Sequence, residues 1–170
     1  MAEIILNLIL YVVPMYFANS SALIFGGRTP IDLGAKFLDG RPVFGRGKTY
    51  RGLIFGTLIG TLAAAALGAL LPQQTALLSS DYVLLGFLLS IGAVFGDMAA
   101  SFLKRRMGFE QGKELIIIDQ LDFVIGAMAL GGLLYIPTAF EIAVIMLATL
   151  VVHRISNYVA FRFKLKKVPW

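Results

Sequence analysis

The sequence predicts an all-α integral membrane protein with five transmembrane helices, an N-terminus outside the cell and a C-terminus in the cytoplasm. The chain has 170 residues, of which 58% are hydrophobic and only 15% charged, whereas about a quarter of the residues are charged in soluble domains. Its apolar residues cluster in long uncharged runs, and a run of about 18 or more is typical of a membrane-spanning helix. The basic residues between the runs indicate which side each loop occupies.

Five apolar runs predict five spans within a single transmembrane domain, residues 1–170. A short connection around Pro137 predicts that the last two spans form a helical hairpin. Small residues at four-residue spacing, Gly56-Gly60-Ala64 and Gly92-Gly96-Ala100, predict helices that approach closely in lipid. The predicted spans are about 4–25, 52–71, 82–103, 118–136 and 140–159, and the predicted cytoplasmic loops are about 26–51 and 104–117.

All 15 Lys and Arg residues lie in three regions that this arrangement puts on the same side of the membrane. Six are in 26–51, four in 104–113 and five in 154–167. The positive-inside rule assigns that side to the cytoplasm, which predicts a multi-pass protein of the cell membrane. The basic excess is interpreted as this topology signal rather than as nucleic-acid binding. The chain has no cysteine, which excludes disulfides and thiolate metal sites.

Asp97, Ser101 and Lys104 lie at helical spacing near the cytoplasmic end of the third span, so they share one face. A charged Asp inside a membrane costs roughly 2.5–3.5 kcal/mol on insertion scales and is by default a candidate functional residue. The alternative is that Asp97 is a packing residue held by Lys104 or Ser101.

Asp119 and Asp122 are three residues apart at the cytoplasmic start of the fourth span, with Cβ atoms about 5–6 Å apart on one helical face. A carboxylate at a helix N-terminus can serve as a cap, which would explain Asp119 better than Asp122. The topology puts both near Asp97. Carboxylate oxygens are the ligands that Mg²⁺ prefers, together with substrate phosphates. Asp97, Asp119 and Asp122 therefore form a predicted Mg²⁺ site, and we expect the active site to face the cytoplasm.

The stretch Gly40–Gly52 is rich in glycine and basic residues. Gly-Lys-Thr at 47–49 invites a P-loop interpretation, but the first glycine of that motif falls at Pro42 and no strand precedes it. Exposed N–H groups with Arg46, Lys48 and Arg51 still suit phosphate. The alternative is a solvated loop that carries topology charges.

Two polar residues in other spans carry a weaker signal. Asn19 is predicted with equal weight to contact another helix or a ligand. His153, the single histidine, is interpreted as an interfacial residue rather than as a ligand. The terminal Lys164, Lys166, Lys167 and Trp170 are interpreted as interface anchors.

Together these stretches resemble the CTP-dependent cytidylyltransferase family of membrane enzymes, whose bacterial and eukaryotic members are phosphatidate cytidylyltransferases. The family signature has the sense Ser-x-x-Lys-Arg followed by Asp-Arg-x-Asp. This sequence has Ser101-Phe-Leu-Lys-Arg105 followed by Asp119-Gln-Leu-Asp122, with Gly96-Asp97 matching the preceding Gly-Asp. The family's Pro-Gly-Lys-Thr-x-x-Gly element resembles Arg46 to Gly52. The resemblance covers about residues 14–126.

Two departures distinguish this sequence from the better-known members. Residues 114–118 replace the usual Pro-Gly-His-Gly-Gly run, and Gln120 stands where Arg is usual. With the short chain and the stretch SFLKRR, they resemble the archaeal branch of the family, the CDP-archaeol synthases.

The resemblance implies that CTP and an isoprenoid ether-lipid phosphate, 2,3-bis-(O-geranylgeranyl)-glycerol 1-phosphate, react at the bilayer to CDP-archaeol and pyrophosphate. Lys104, Arg46 and Lys48 would neutralise the phosphates. Ser101, Thr49 and Arg105 would contact CTP or phosphate. The open alternatives are a phosphatidate cytidylyltransferase, a CTP-dependent polyprenol kinase, a small ion or proton transporter, and a structural subunit. A transporter relay predicts carboxylates spread across the bilayer depth.

Overall fold

The computed structural model describes residues 2–111, 113, 115 and 117–162 and is all-helical there, as predicted. In these ranges the chain forms six α-helices and two isolated β-bridges. The predicted anchors in 163–170 lie outside the described residues. The helices are α1 (Ala2–Ile24), α2 (Tyr50–Leu70), α3 (Pro72–Thr75), α4 (Tyr82–Arg106), α5 (Ile118–Gly131) and α6 (Ala139–Arg162).

Three of the helices have a polar residue at the N-terminal end whose side chain accepts a hydrogen bond from a free backbone N–H group of the first turn, as N-caps do. Thr49 accepts from Gly52 at the start of α2, and Asp81 accepts from Leu84 at the start of α4. At α6, Thr138 and Glu141 accept each other's backbone N–H groups at 3.3 and 2.8 Å, which is a capping box.

Helix α4 is central and packs against α1, α2 and α5, and α6 makes fewer contacts, mainly with α5. Glycines allow the closest crossings, as the small-residue spacing predicts. A Cβ atom built on Gly96 would lie 2.2 Å from the carbonyl oxygen of Asp122, and one on Gly60 would lie 2.6 Å from that of Pro14. The backbones of α4 and α5 therefore meet directly beside Asp97.

Within the part of the chain that the structure describes, three helices are long and apolar enough to cross a membrane: α1, α2 and α4. Helix α5 has 14 residues and is about 21 Å long at 1.5 Å per residue, because it ends at Gly131 rather than near 136. Large apolar side chains on the outer faces, such as Leu62 at 56% and Leu147 at 65% exposure, suit contact with lipid.

The loop between α1 and α2 folds back on itself instead of extending into solvent. Antiparallel bridges join Pro30 to Thr49 and Lys36 to Pro42. The loop also binds the end of α4, where the Arg41 side chain donates hydrogen bonds to the carbonyl oxygens of Arg105 and Arg106 at 3.2 and 2.8 Å. This long loop is therefore tied to the helix that carries Asp97.

Candidate active site

A cavity of about 670 Å³ opens where α1 and α4 end and α2 and α5 begin. Its lining includes charged and polar side chains and also apolar ones, among them Leu23, Ile24 and Leu53. Its described lining residues are Tyr16, Asn19, Ser20, Ala22, Leu23, Ile24, Ile31, Gly47, Lys48, Thr49, Gly52, Leu53, Val94, Asp97, Met98, Asp119, Val152 and His153. Residues from distant parts of the sequence thus meet in one space.

The first charged pair in this cavity joins the long loop to α4. The Lys48 ammonium group donates to a carboxylate oxygen of Asp97 at 2.5 Å. The two side chains are 21% and 27% exposed, so the pair is only partly screened by water. Asp97 contacts Lys48, not Lys104 or Ser101, which were the partners considered under the packing alternative.

The second charged pair joins α4 to α5. The Lys104 ammonium group donates to Asp119 at 2.7 Å, and the other Asp119 oxygen accepts the backbone N–H of Leu115 at 3.1 Å. Lys104 does not itself line the cavity, but its partner Asp119 does. The N-cap of α5 is Ile117, so Asp119 holds the turn before the helix and the end of α4 rather than a free N–H group of its own helix.

Asp122 lies one turn deeper on α5 and is 9% exposed. Its backbone carbonyl faces Gly96 across the α4–α5 crossing. Its carboxylate accepts the backbone N–H of Phe123, and the charges of Asp97, Lys48 and Asp119 act on it. The crossing therefore brings the three predicted carboxylates into one neighbourhood, although only Asp97 and Asp119 line the cavity.

The three carboxylates have the chemistry that Mg²⁺ prefers, but they are not arranged together as one metal site. Among the residues that the structure describes, no group of three or more His, Cys, Asp or Glu side chains is arranged to hold a metal ion. Mg²⁺ usually takes only one or two carboxylates together with phosphates and waters. Asp97 and Asp119 supply two such carboxylates on one cavity wall, each with a lysine beside it.

The glycine-rich turn is held more tightly than its composition predicts. The Asp32 carboxylate accepts the backbone N–H groups of Phe44 and Gly45, both at 2.9 Å. With its amide oxygen assigned toward the turn, Gln111 accepts from Arg46 and Gly47 at 3.1 and 3.3 Å. These N–H groups, expected to be exposed for phosphate, therefore already have partners within the protein.

Of four other predicted site residues, Arg46 is exposed and the other three are buried. Arg46 is exposed on the turn, and the buried Thr49 hydroxyl accepts from Gly27 and Gly52, both at 3.1 Å. Ser101 and Arg105 are each 7% exposed on α4 and lie outside the described lining of the cavity. Arg105 donates to the Phe109 carbonyl oxygen and so helps to shape the turn that follows the helix.

The cavity also includes residues of α1 and α6 for which the sequence pattern was a weak signal. Asn19 lines it, as does His153, whose ring lies 5.6 Å from that of Phe123. Tyr16 lines it too and donates to Thr149 of α6 at 2.7 Å. Polarity in an otherwise apolar span was the available signal for Asn19 and His153. Tyr16 and Ser20 gave none, because their sequence positions do not report which face points inward.

These features define a helical membrane protein with a partly charged, partly apolar cavity among the ends of its helices. A family model described as CarS-like, CDP-archaeol synthase, matches residues 1–170. The chain therefore belongs to the CDP-archaeol synthase family.

Proteins of known function and one solved structure are similar to this chain over nearly its whole length. The CDP-archaeol synthase of Methanocaldococcus jannaschii is 46% identical over 170 residues, covering 94% of each chain. That of Archaeoglobus fulgidus is 40% identical and covers 100% of each. A solved structure of an intramembrane enzyme for archaeal membrane lipids biosynthesis has a TM-score of 0.80 at 34% identity, covering 88% of this chain and 91% of that one. The fold and the family thus agree.

Proposed function

We propose that the chain transfers CMP from CTP to the phosphate of 2,3-bis-(O-geranylgeranyl)-glycerol 1-phosphate, giving CDP-archaeol and pyrophosphate. Membership of the CDP-archaeol synthase family makes it a cytidylyltransferase of lipid biosynthesis. The observation that carries the choice of substrates is the cavity, whose lining combines Lys48, Asp97 and Asp119 with apolar side chains. A charged nucleotide and a lipid need these two surfaces side by side.

The reaction needs charge neutralisation and alignment more than a dedicated base. A lipid phosphate monoester is mostly dianionic near pH 7 because its second pKa is about 6, as for phosphorylated side chains. One of its oxygens attacks the α-phosphorus of CTP, a new P–O bond forms, and the bond from that phosphorus to the bridging oxygen breaks to release pyrophosphate. Catalysis is then mainly positioning and stabilisation of developing charge.

The lysines of the two pairs are the groups that we assign to the phosphates. Lys48 lines the cavity, and Lys104 pairs with Asp119, which also lines it. An anion in the cavity would therefore lie near the Lys48 ammonium group and next to the carboxylate that Lys104 holds. Arg46, exposed on the neighbouring turn, is assigned to the outer phosphates. Ser101, Thr49 and Arg105 support this arrangement from the helix ends.

Asp97 and Asp119, with Asp122 behind them, are the residues that would hold Mg²⁺. When bound, the ion would offset the negative charge of the phosphates. The carboxylates of the two pairs also orient the two lysines.

We further propose five spans, with the N-terminus outside and the cavity facing the cytoplasm. The support is the partition of all 15 basic residues into three regions of the sequence. For α5 and α6, the lengths of 14 and 24 residues are compatible with a hairpin in which the shorter helix is covered by its neighbours.

Labelled CTP tests the reaction. Purified protein, Mg²⁺ and the lipid phosphate are incubated with CTP labelled at the α- or the γ-phosphorus. We expect α-label in the lipid and γ-label in pyrophosphate. Lipid labelled from the γ-phosphorus would overturn the proposal in favour of a kinase, and a diacylglycerol phosphate used equally well would overturn the choice of lipid.

The absence of native cysteine makes the topology testable by single-cysteine variants. We expect Lys36→Cys to react with an impermeant maleimide only from the cytoplasmic side, and Gln73→Cys only from outside. Labelling of both variants from the same side would contradict the proposed orientation.

A further inference from the structure

Asp32 is an acidic residue outside the cavity wall whose carboxylate is fully engaged by backbone groups. One oxygen accepts the N–H of Gly34 at 3.0 Å, and the other accepts those of Phe44 and Gly45, both at 2.9 Å. The bond to Gly34 is a local turn. The other two reach 12 and 13 residues along the chain, and a local turn does not require them.

These bonds fix the start of the turn that leads to Lys48. Gly45 has a φ of 92°, a left-handed conformation that glycine adopts without strain. Lys48 closes the turn by donating its N–H to the Gly45 carbonyl at 3.3 Å. The Lys48 carbonyl accepts the N–H of Ile31 at 2.7 Å. Residues 31 and 32 therefore hold both ends of the segment 45–48.

The position of this turn decides where the Lys48 ammonium group lies. That group contacts Asp97 at 2.5 Å on the cavity wall, at the end of a long, rotatable side chain. A flexible lysine is effective only if its backbone is held, because a misplacement of about 1 Å can cost as much as 10²-fold in rate. No helix carries Lys48, so hydrogen bonds within the loop, including those of the Asp32 side chain, must hold its backbone.

We propose that Asp32 is a positioning residue for the CMP-transfer reaction, holding the segment Phe44–Lys48 so that Lys48 meets the CTP phosphates. The inference rests on the proposed function, because it requires CTP as the ligand of Lys48. Asp32 is not among the described residues that line the cavity.

The electrostatics of the loop agree with this assignment. Partial burial tends to raise the pKa of Asp32, but the backbone N–H groups of Gly45, Phe44 and Gly34 outweigh it and hold the pKa below its usual value. The carboxylate is therefore ionised throughout the neutral range, in the form that accepts hydrogen bonds most strongly. Its three donors are all backbone groups, so the contact is insensitive to neighbouring side chains.

The test compares Asp32→Ala and Asp32→Asn with Asp39→Ala in the purified full-length protein. Asp39 is an acidic residue of the same loop that pairs with Arg106 and serves as the matched control. We expect Asp32→Ala to raise the KM for CTP at least about tenfold with the KM for the lipid unchanged. Asp32→Asn keeps one acceptor oxygen and should fall between. Asp39→Ala should stay within about twofold of the parent, as exposed pairs contribute little.

A second arm separates positioning from a general loss of structure. In a Lys48→Ala background, Asp32→Ala should add little to the KM for CTP, because both changes remove the same contact. Equal effects with and without Lys48, or an unchanged KM for CTP in a folded Asp32 variant, would overturn the proposal. If Asp32→Ala does not fold, Asp32→Asn decides by the same criteria. Failure of the parent protein to label lipid from α-labelled CTP would instead refute the proposed function.

Discussion

The two lysine–carboxylate pairs of the cavity are similar in chemistry and opposite in construction. In one pair, a mid-helix carboxylate, Asp97, meets a lysine from a loop, Lys48. In the other, a lysine near the end of α4, Lys104, meets a carboxylate in the first turn of α5, Asp119. The Lys48–Asp97 pair, here called the loop-borne pair, depends on contacts such as those of Asp32 that hold the loop. The Lys104–Asp119 pair, here called the helix-borne pair, depends on how closely α4 and α5 cross.

Two separate parts of the fold must therefore be in place for both pairs to form. Glycines at 92, 96 and 126 allow α4 and α5 to cross with backbones in contact, and this sets the spacing of Lys104 and Asp119. Hydrogen bonds within 26–51 set the position of Lys48. Substitutions can therefore break one pair while sparing the other.

The largest effect is expected from Asp97→Asn. The change keeps the shape but removes the charge that faces Lys48 and the proposed Mg²⁺, so kcat should fall by at least about 10²-fold, as when one transition-state contact is lost. Initial rates at saturating CTP and lipid measure it, with Asp39→Asn as the control. Asp122→Asn tests the third carboxylate in the same way. Near-parent turnover in folded Asp97→Asn would refute the assignment.

Gly96→Ala should disturb the Lys104–Asp119 pair, because it forces α4 and α5 apart where they cross. The new Cβ would meet the Asp122 carbonyl at 2.2 Å and the Gly126 Cα at 2.9 Å, backbone atoms that cannot turn aside. Overpacking of this kind costs about 1–3 kcal/mol, which should lower the Tm in detergent and also reduce turnover.

Gly68→Ala on α2 is the matched control for this change. Its Cβ would lie 3.6 Å from the Tyr82 ring, an ordinary contact, and alanine favours a helix by roughly 0.5–1 kcal/mol over glycine. The Tm should therefore stay or rise. Equal destabilisation by both alanines would show that the crossing at Gly96 is not specially tight.

The smallest effect is expected from Thr49→Ala, which acts on the loop-borne pair alone. The hydroxyl accepts the N–H groups of Gly27 and Gly52, and loss of such a cap costs about 1 kcal/mol. Thermal unfolding should detect this loss. Thr49→Ser keeps the acceptor and should restore most of the stability. A serine variant as unstable as the alanine variant would mean that the methyl group, not the cap, matters.

The sequence predicted most of the helices and the neighbourhood of the three carboxylates. Hydropathy located α1, α2 and α4 because spans in lipid must be apolar, and the direction of successive spans put Asp97 near Asp119. The early end of α5 at Gly131 was not predicted, because an apolar run does not distinguish helix from the turns that follow it. The role of Asp32 was invisible because its partners lie 12 and 13 residues away and leave no local pattern.

Gln111 has a consequence for how tightly the protein can hold an anion. Its side chain already accepts the N–H groups of Arg46 and Gly47. A phosphate oxygen that reaches them must replace an existing acceptor, so it gains only the difference between two hydrogen bonds. Under the proposed function, Gln111 is thus an internal competitor for phosphates at this turn, and it would weaken both the retention of pyrophosphate and the capture of CTP. A site that must release a highly charged product in every turnover benefits from such moderation.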